Sequence, residues 1–394
     1  MESKGFLPVS DRPSNPARRQ FIRATGTLGV GAALGMDATA QTAASGPSEG
    51  ASQGNSPKPG APAAKRQNPG TSSEAIPRRP LGRTGVQVSA IGIGGHHLGD
   101  ISSVDEAIRL VHEAMDAGID FFGNAWEYYN GITENWLGRA LKGRRDKTFL
   151  MTKVCTHGRS GQLAMRMLEE SLQRLQTDHL DLWQIHGIVY DNDPELAYAK
   201  GGVLEAFDQA KQQGKVRFVG FTGHKEPAFH LDMIQRGYPF DTVQMPLNPF
   251  DASFHSFEQQ VLPELNRRGI AALGMKSMGG TADAVKRGVV KAEELLRYAM
   301  SLPVATTICG MDSLEVLRQN LRVARGFTPM LENEMDALRA RCVPTAADGR
   351  FEPYKVSLRY DNPVTRMPHG FPLDPTQREV KQMLEQGTGT WEPL

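Results

Sequence analysis

Eight short apolar runs, each followed by a stretch of helical periodicity, recur between residues 88 and 324, and nothing else in the chain limits its fold so tightly. Strands are expected at 88–94, 119–123, 148–154, 180–186, 216–221, 242–246, 270–275 and 305–309. Helices are expected at 103–117, 133–142, 161–175, 203–214, 226–236, 256–268, 291–301 and 313–324. This alternation predicts parallel strands joined by crossover helices, and eight such units are the number that closes a barrel. The expected fold class is therefore α/β, a (β/α)8 barrel over residues 77–330. Ahead of it, Leu81-Gly-Arg-Thr-Gly85-Val-Gln-Val-Ser reads as a short hairpin turning at Thr84-Gly85. Cap-type residues mark two helix starts, in Ser102-Ser-Val-Asp-Glu and in Asp312-Ser-Leu-Glu, the latter with an acidic cap. Residues 331–394 form a C-terminal extension with an amphipathic helix at 332–341, a tail rich in proline and aromatics, and a polar helix near 375–386. The tail is expected to pack on the barrel mouth or an outer face.

Residues 1–40 have the plan of an export signal. A twin arginine in Arg18-Arg19-Gln-Phe-Ile-Arg23 precedes a mildly apolar stretch from Ala24 to Met36, and Ala38-Thr-Ala40 fits a small-x-small cleavage site. The apolar stretch is too short for a permanent membrane span. The expected partner is the twin-arginine (Tat) export machinery and the expected destination a bacterial periplasm or the outer face of the membrane. Residues 41–76 are mostly Gly, Ser, Ala, Pro and Gln and cannot bury enough surface to offset their ordering entropy, which predicts a disordered tether. The net charge is +1 with dispersed basic residues, which excludes a nucleic-acid footprint. Cys155, Cys309 and Cys342 have neither CxxC nor Cys/His ligand spacing, so no disulfide framework, iron–sulfur cluster or other metal centre is expected.

Three of the strands run out into reactive side chains. Ile119-Asp-Phe-Phe-Gly-Asn-Ala-Trp-Glu-Tyr128 leaves its strand for a polar, aromatic loop, Phe149-Leu-Met-Thr-Lys153 ends in a lysine, and Leu180-Asp-Leu-Trp-Gln-Ile-His186 ends in a histidine. Strand ends of a parallel barrel converge on one face, so Tyr128, Lys153 and His186 are candidates for one proton-transfer site. Taken singly, each has a bland alternative: a rim aromatic with Tyr129 as its rival, a solvated strand end, a satisfied core histidine.

From about 78 to 325 the chain resembles the aldo-keto reductases. The resemblance rests on Pro80-Leu-Gly-Arg-Thr-Gly85, Gly118-Ile-Asp-Phe-Phe-Gly-Asn-Ala-Trp-Glu-Tyr128, Thr133-Glu-Asn-Trp-Leu-Gly138, Thr152-Lys153, Asp181-Leu-Trp-Gln-Ile-His186, Gly220-Phe-Thr-Gly223 and Asn320. It implies a barrel that binds a nicotinamide dinucleotide and reduces a small-molecule carbonyl: an aldehyde, a ketone or a sugar-derived carbonyl. The family's tetrad of Asp, Tyr, Lys and His falls on Gly123, Tyr128, Lys153 and His186, so the carboxylate is missing. Tyr128 would give its proton to the developing alkoxide, Lys153 would stabilise the phenolate, and His186 would orient the substrate oxygen. Without the Asp, Lys153 loses a charged partner; the side-chain amide oxygen of Asn124 could anchor the ammonium but adds no charge. Two rival readings follow: a barrel that has kept its dinucleotide groove but lost turnover, serving as a redox sensor or partner-binding module, and a metal-dependent hydrolase, which the absent ligand clusters argue against.

For the cofactor, the resemblance implies Thr222, Gly223 and Gln244 at the carboxamide and Met275 under the nicotinamide ring. It places Lys276, Ser277, Gly279 and Gly280 in a turn near the phosphates, with Gly310 and Asn320 near the adenosine end. NADP-specific members carry cations where this chain has Gly310 and Val316, and Arg318 is displaced by two positions. NADP and NAD both stay in play, with NADP favoured by family habit.

Overall fold

The computed structural model describes residues 75–155, 160–357 and 360. The export signal, nearly all of the tether and the polar helix near 375–386 lie outside the described residues.

All eight strands form, within a residue or two of expectation except at the start of the first. An antiparallel hairpin, β1 (Arg78–Pro80) with β2 (Gln87–Ser89), comes first. Then follow β3 (Ile91–Gly94), β4 (Phe121–Gly123), β5 (Phe149–Cys155), β6 (Leu180–His186), β7 (Val216–Thr222), β8 (Thr242–Pro246), β9 (Ala271–Met275) and β10 (Thr306–Gly310). These eight pair in parallel around a closed ring, with β10 beside β3. The expected strand 88–94 is in fact two elements, because the chain turns at Ala90: Val88 pairs back onto Arg79, and only Ile91 onward enters the barrel. Ile76 is buried, so the folded unit starts a residue earlier than expected.

Each expected crossover helix is present. The one at 256–268 is split into Phe257–Gln260 and Leu262–Arg268, with Pro263 in the first turn of the second piece, where its missing N–H costs nothing. Ser103 caps Val104–Asp116 by accepting the Glu106 N–H at 3.3 Å. For Leu314–Arg325 the cap is Ser313, which accepts from Val316 N–H at 3.2 Å, rather than the acidic residue before it.

A period of two along each strand sorts side chains between barrel interior and helix-facing layer. Phe121, Phe149, Met151, Leu182 and Leu273 pack in the interior, joined by Leu81 and Val88 of the hairpin. The hairpin meets the amino ends of the strands: Gly82 sits at φ +53, where a Cβ would come within 2.6 Å of the Gly269 carbonyl oxygen, and Arg83 N–H donates to that same oxygen. The amino end is thus plugged, and polar residues two or more steps further along the strands face the opposite mouth.

The C-terminal extension reaches that mouth. Its helix runs Glu332–Ala346, longer than expected, and the chain after it returns to the loops that follow β8 and β9. Lys355 is fully buried there; its ammonium donates to Asp251 Oδ1 at 2.6 Å, to Glu352 Oε2 at 2.9 Å and to the Phe254 carbonyl at 2.7 Å. Asn248 donates to both Glu352 and Tyr354. Removing the cation would leave two carboxylates buried together. Lys355→Met is therefore expected to cost about 3–5 kcal/mol, read as a lower denaturant midpoint; an unchanged midpoint would show that the extension is only loosely held.

Candidate active site

Period-two alternation carries inward-facing residues from the apolar interior up to the mouth. Lys153 lies two residues beyond Met151, and His186 two beyond Gln184, whose amide donates to Thr242 Oγ1 at 2.9 Å. Gly123 follows Phe121 by the same step, and the space its side chain would take holds the Met151 terminal methyl, 2.8 Å from an added Cβ. Where a carboxylate was sought, there is a methyl group.

The structure brings Tyr128, Lys153 and His186 together. Lys153 Nζ donates to Tyr128 Oη at 3.2 Å and lies 4.7 Å from the centre of that ring. The His186 ring stands edge-on to Tyr128, with centroids 5.5 Å apart. After Tyr128 the backbone turns sharply, with Tyr129, Asn130 and Gly131 all at positive φ (50, 55 and 85°). Two successive non-glycine residues in that region mark stored strain held by the surroundings. Tyr129 is settled elsewhere, donating to Asp100 Oδ1 at 2.7 Å.

The ammonium's strongest partner is Asn124, but not by the group expected. Lys153 Nζ donates to the Asn124 main-chain carbonyl at 2.6 Å. The Asn124 side-chain oxygen instead accepts from Thr133 Oγ1 at 2.8 Å and Ala125 N–H at 2.9 Å, stitching the loop.

Sequence reasoning missed two neighbours. Glu127 accepts a hydrogen bond from His186 Nδ1, and its side chain is only 11% exposed. A carboxylate directly before the tyrosine was the available signal. His96 lies 5.1 Å from Tyr128, ring to ring. With His97 and Asp100 it forms the one group among the described residues whose possible metal-ligating atoms lie within 4.8 Å of one another. Within it Asp100 takes the Tyr129 hydroxyl and the His97 ring is packed on Gly310.

Burial dominates the electrostatics. It pulls the Lys153 ammonium down to about 7; Lys276 pushes the same way, while Glu127 and Glu134 oppose it. Tyr128 is driven well above its ordinary value by burial, then by the Glu127 charge. Burial also works against the Glu127 anion, but His186 and Lys153 outweigh it and hold the carboxyl below its usual range.

At the expected cofactor positions, two features fit a nicotinamide dinucleotide. Gln244 Oε1 is buried and accepts nothing among the described residues, as an acceptor for a carboxamide N–H would be; Gln244 Nε2 donates to Met275 Sδ at 3.2 Å, and Thr222 Oγ1 lies 3.9 Å from the same sulfur. Lys276, at φ 55, is half-buried between the rings of Tyr354 and Tyr360, each 5.0 Å from its ammonium, and no carboxylate pairs with it among the described residues. Burial brings it down to about 8. A partly desolvated cation without a counter-charge suits an anionic ligand.

Other expected positions are placed differently. The side-chain space of Gly279 is closed by the Phe351 carbonyl oxygen at 2.3 Å, and that of Gly280 borders the Tyr354 ring at 3.2 Å, so the extension covers the turn where an open approach to the phosphates was expected. Gly223 is packed between the Ile188 carbonyl and the His230 ring. Ser277 is buried beside the Cys309 thiol. Gly310 gives its space to the His97 ring, 2.2 Å from an added Cβ. Asn320 is buried within Leu314–Arg325, and Arg318 is held by Glu113 through two bonds of 2.6 and 2.9 Å.

A family model described as the aldo/keto reductase family matches residues 90–287. L-galactose dehydrogenase of Arabidopsis thaliana is 32% identical over 158 residues, a match spanning 38% of this chain and 49% of that one. The solved aldo-keto reductase AKR11C1 from Bacillus halodurans, in its holo form, superposes with a TM-score of 0.58 at 23% identity, covering 68% of this chain and 96% of that one. An aldo/keto reductase from Klebsiella pneumoniae in complex with NADP and acetate gives a TM-score of 0.55 at 21% identity, covering 66% and 94%. The last two establish likeness of fold.

A lysine desolvated to this extent is carried at a cost. Its folded value lies near 7 against an ordinary 10.5, so the folded state binds fewer protons than the unfolded one between those limits, and stability rises with pH there. Lys153→Met is expected to flatten that rise and to lift the melting temperature at pH 7 by a few degrees. An unchanged pH slope would contradict the burial of the charge.

Proposed function

The chain belongs to the aldo/keto reductase family, whose general chemistry is carbonyl reduction by a nicotinamide dinucleotide, and from that premise we propose that Tyr128 is the proton donor of such a reaction here. The observation that carries the reading is the 3.2 Å bond from the buried Lys153 ammonium to the Tyr128 hydroxyl. The dinucleotide, when bound, supplies the hydride. Everything else falls to the chain's own side chains. Tyr128 passes its hydroxyl proton to the oxygen of the carbonyl being reduced. Burial makes the resulting phenolate costly, and a cation in hydrogen-bond contact lowers that cost where the local dielectric is weak. His186, edge-on to the same ring, fixes the direction of the substrate oxygen. Gln244 receives the carboxamide, Met275 offers an apolar platform, and Lys276 takes an anionic group of the cofactor.

Discrimination between NADP and NAD is weak in this reading. Gly310 and Val316 bring no charge to the 2′-phosphate, and Arg318 is committed to Glu113. The substrate is an aldehyde, ketone or sugar-derived carbonyl.

Oxidation of NADPH and of NADH by the purified protein, with a reactive aromatic aldehyde, tests this directly. Both cofactors should be consumed, with dissociation constants within about tenfold of each other, and Tyr128→Phe should lower kcat by about 100-fold or more while leaving cofactor binding intact. A folded protein that binds the dinucleotide but consumes none would favour the silent-sensor reading instead.

We also read Arg18-Arg19 and the residues to Ala40 as a twin-arginine export signal, on the order of their parts alone. Cell fractionation of a bacterial host should find the full-length product processed and outside the cytoplasm, and replacing both arginines by lysine should retain it. Cytoplasmic retention of the unaltered chain would overturn this.

A further inference from the structure

The side-chain space of Gly123 is filled by a methyl group, yet the site is not without a carboxylate. Glu127, four residues on, is bound to His186 Nδ1 and buried in the same cluster. Its second oxygen, Oε2, is buried and accepts nothing among the described residues. A buried carboxylate oxygen left unsatisfied costs stability, and a residue placed only for packing would avoid it. The other acidic side chain acting on Lys153 is spoken for: Glu134 accepts from Thr152 Oγ1 at 2.6 Å and pairs with Arg174 at 3.2 Å.

We propose that Glu127 is the carboxylate of this proton-transfer site, standing in for the one absent at Gly123: its hydrogen bond fixes the orientation and tautomer of His186, and its negative charge in the same cluster favours the ammonium form of Lys153. The inference deepens the reductase reading and rests on it for its catalytic meaning. A carboxylate only accepts hydrogen bonds, so the imidazole must carry its proton on Nδ1, and Nε2 is the nitrogen that meets the substrate oxygen. Lys153 feels four charged or titratable neighbours: Tyr128 in contact, Glu127 and Glu134 favouring the ammonium, and Lys276 opposing it. Burial is the largest influence bringing the lysine down to about 7, and the Glu127 charge works against it, so loss of that charge leaves less ammonium at physiological pH. Glu127 is thus a positioning residue: it acts through Lys153 and His186 without needing to touch the carbonyl. The carboxylate comes from the loop that follows Gly123 and also carries Tyr128.

Glu127→Gln keeps the shape and removes the charge. Its kcat should fall about tenfold or more with the dissociation constant for NADPH unchanged, and the alkaline limb of the kcat profile should move to lower pH. Glu127→Asp should recover part of the loss. Adding Gly123→Asp to Glu127→Gln should restore turnover, since only the flexible end of Met151 must move aside, while Gly123→Asp alone should gain little. A second readout needs no turnover. With lysines labelled at 13Cε, the Lys153 resonance, assigned by its loss in Lys153→Met, should titrate near 7 in the unaltered protein and lower in Glu127→Gln. An unmoved Lys153 midpoint, or wild-type kcat and pH limb in Glu127→Gln, would overturn the proposal. A moved midpoint in a protein that reduces no carbonyl would overturn the reductase reading and leave the charge role of Glu127 standing.

Discussion

The site depends on one costly arrangement: an ammonium buried at the mouth of an apolar barrel, held by a main-chain carbonyl and a phenol. Desolvation of a charge is far more expensive than a single hydrogen bond repays, so Lys153 stays there only because the surroundings over-determine its position. The β5 register fixes its direction, Asn124 fixes its end, and Thr133 in turn fixes Asn124. That chain of constraints also places Tyr128, because the loop tied down by Asn124 is the loop that delivers the phenol. The strained turn at Tyr129 and Asn130 follows immediately after Tyr128 in that loop.

The same logic extends to the other side of the mouth. A second cation, the half-buried Lys276, has aromatic rings rather than a carboxylate around it, and those rings come from the C-terminal extension. The extension is anchored by a fully buried lysine, Lys355, paired with two carboxylates. The contrast is chemical: the paired lysine holds structure, whereas the two without a direct carboxylate partner face the mouth, where ligand charge and hydrogen bonds can complete them.

The barrel was legible in the sequence because each strand is a short apolar run between helices, and eight repeats leave few topologies. Tyr128, Lys153 and His186 were legible for a related reason, since strand parity and strand ends determine which side chains meet. Three features escaped. Glu127 is not legible because the family pattern puts its carboxylate at position 123, and spacing does not reveal that a residue beside the tyrosine reaches the histidine. The Asn124 anchor was assigned to the side chain, since nothing in a sequence says whether a carbonyl or an amide will face an ammonium. The glycines at 279 and 280 suit an opening for phosphates in the sequence alone; the Phe351 and Tyr354 that close on them come from more than 70 positions away, a separation no local pattern encodes.

The most direct test of the central claim is the pH dependence of a single turnover, followed as the loss of NADPH absorbance after mixing the loaded protein with excess aldehyde. If a buried Lys153 ammonium assists Tyr128, the rate should be high on the acid side and fall through a limb centred near 7, far below the ordinary range of a lysine. A rate flat from pH 6 to 9, or a limb that survives Lys153→Met unmoved, would show that proton transfer does not run through this pair.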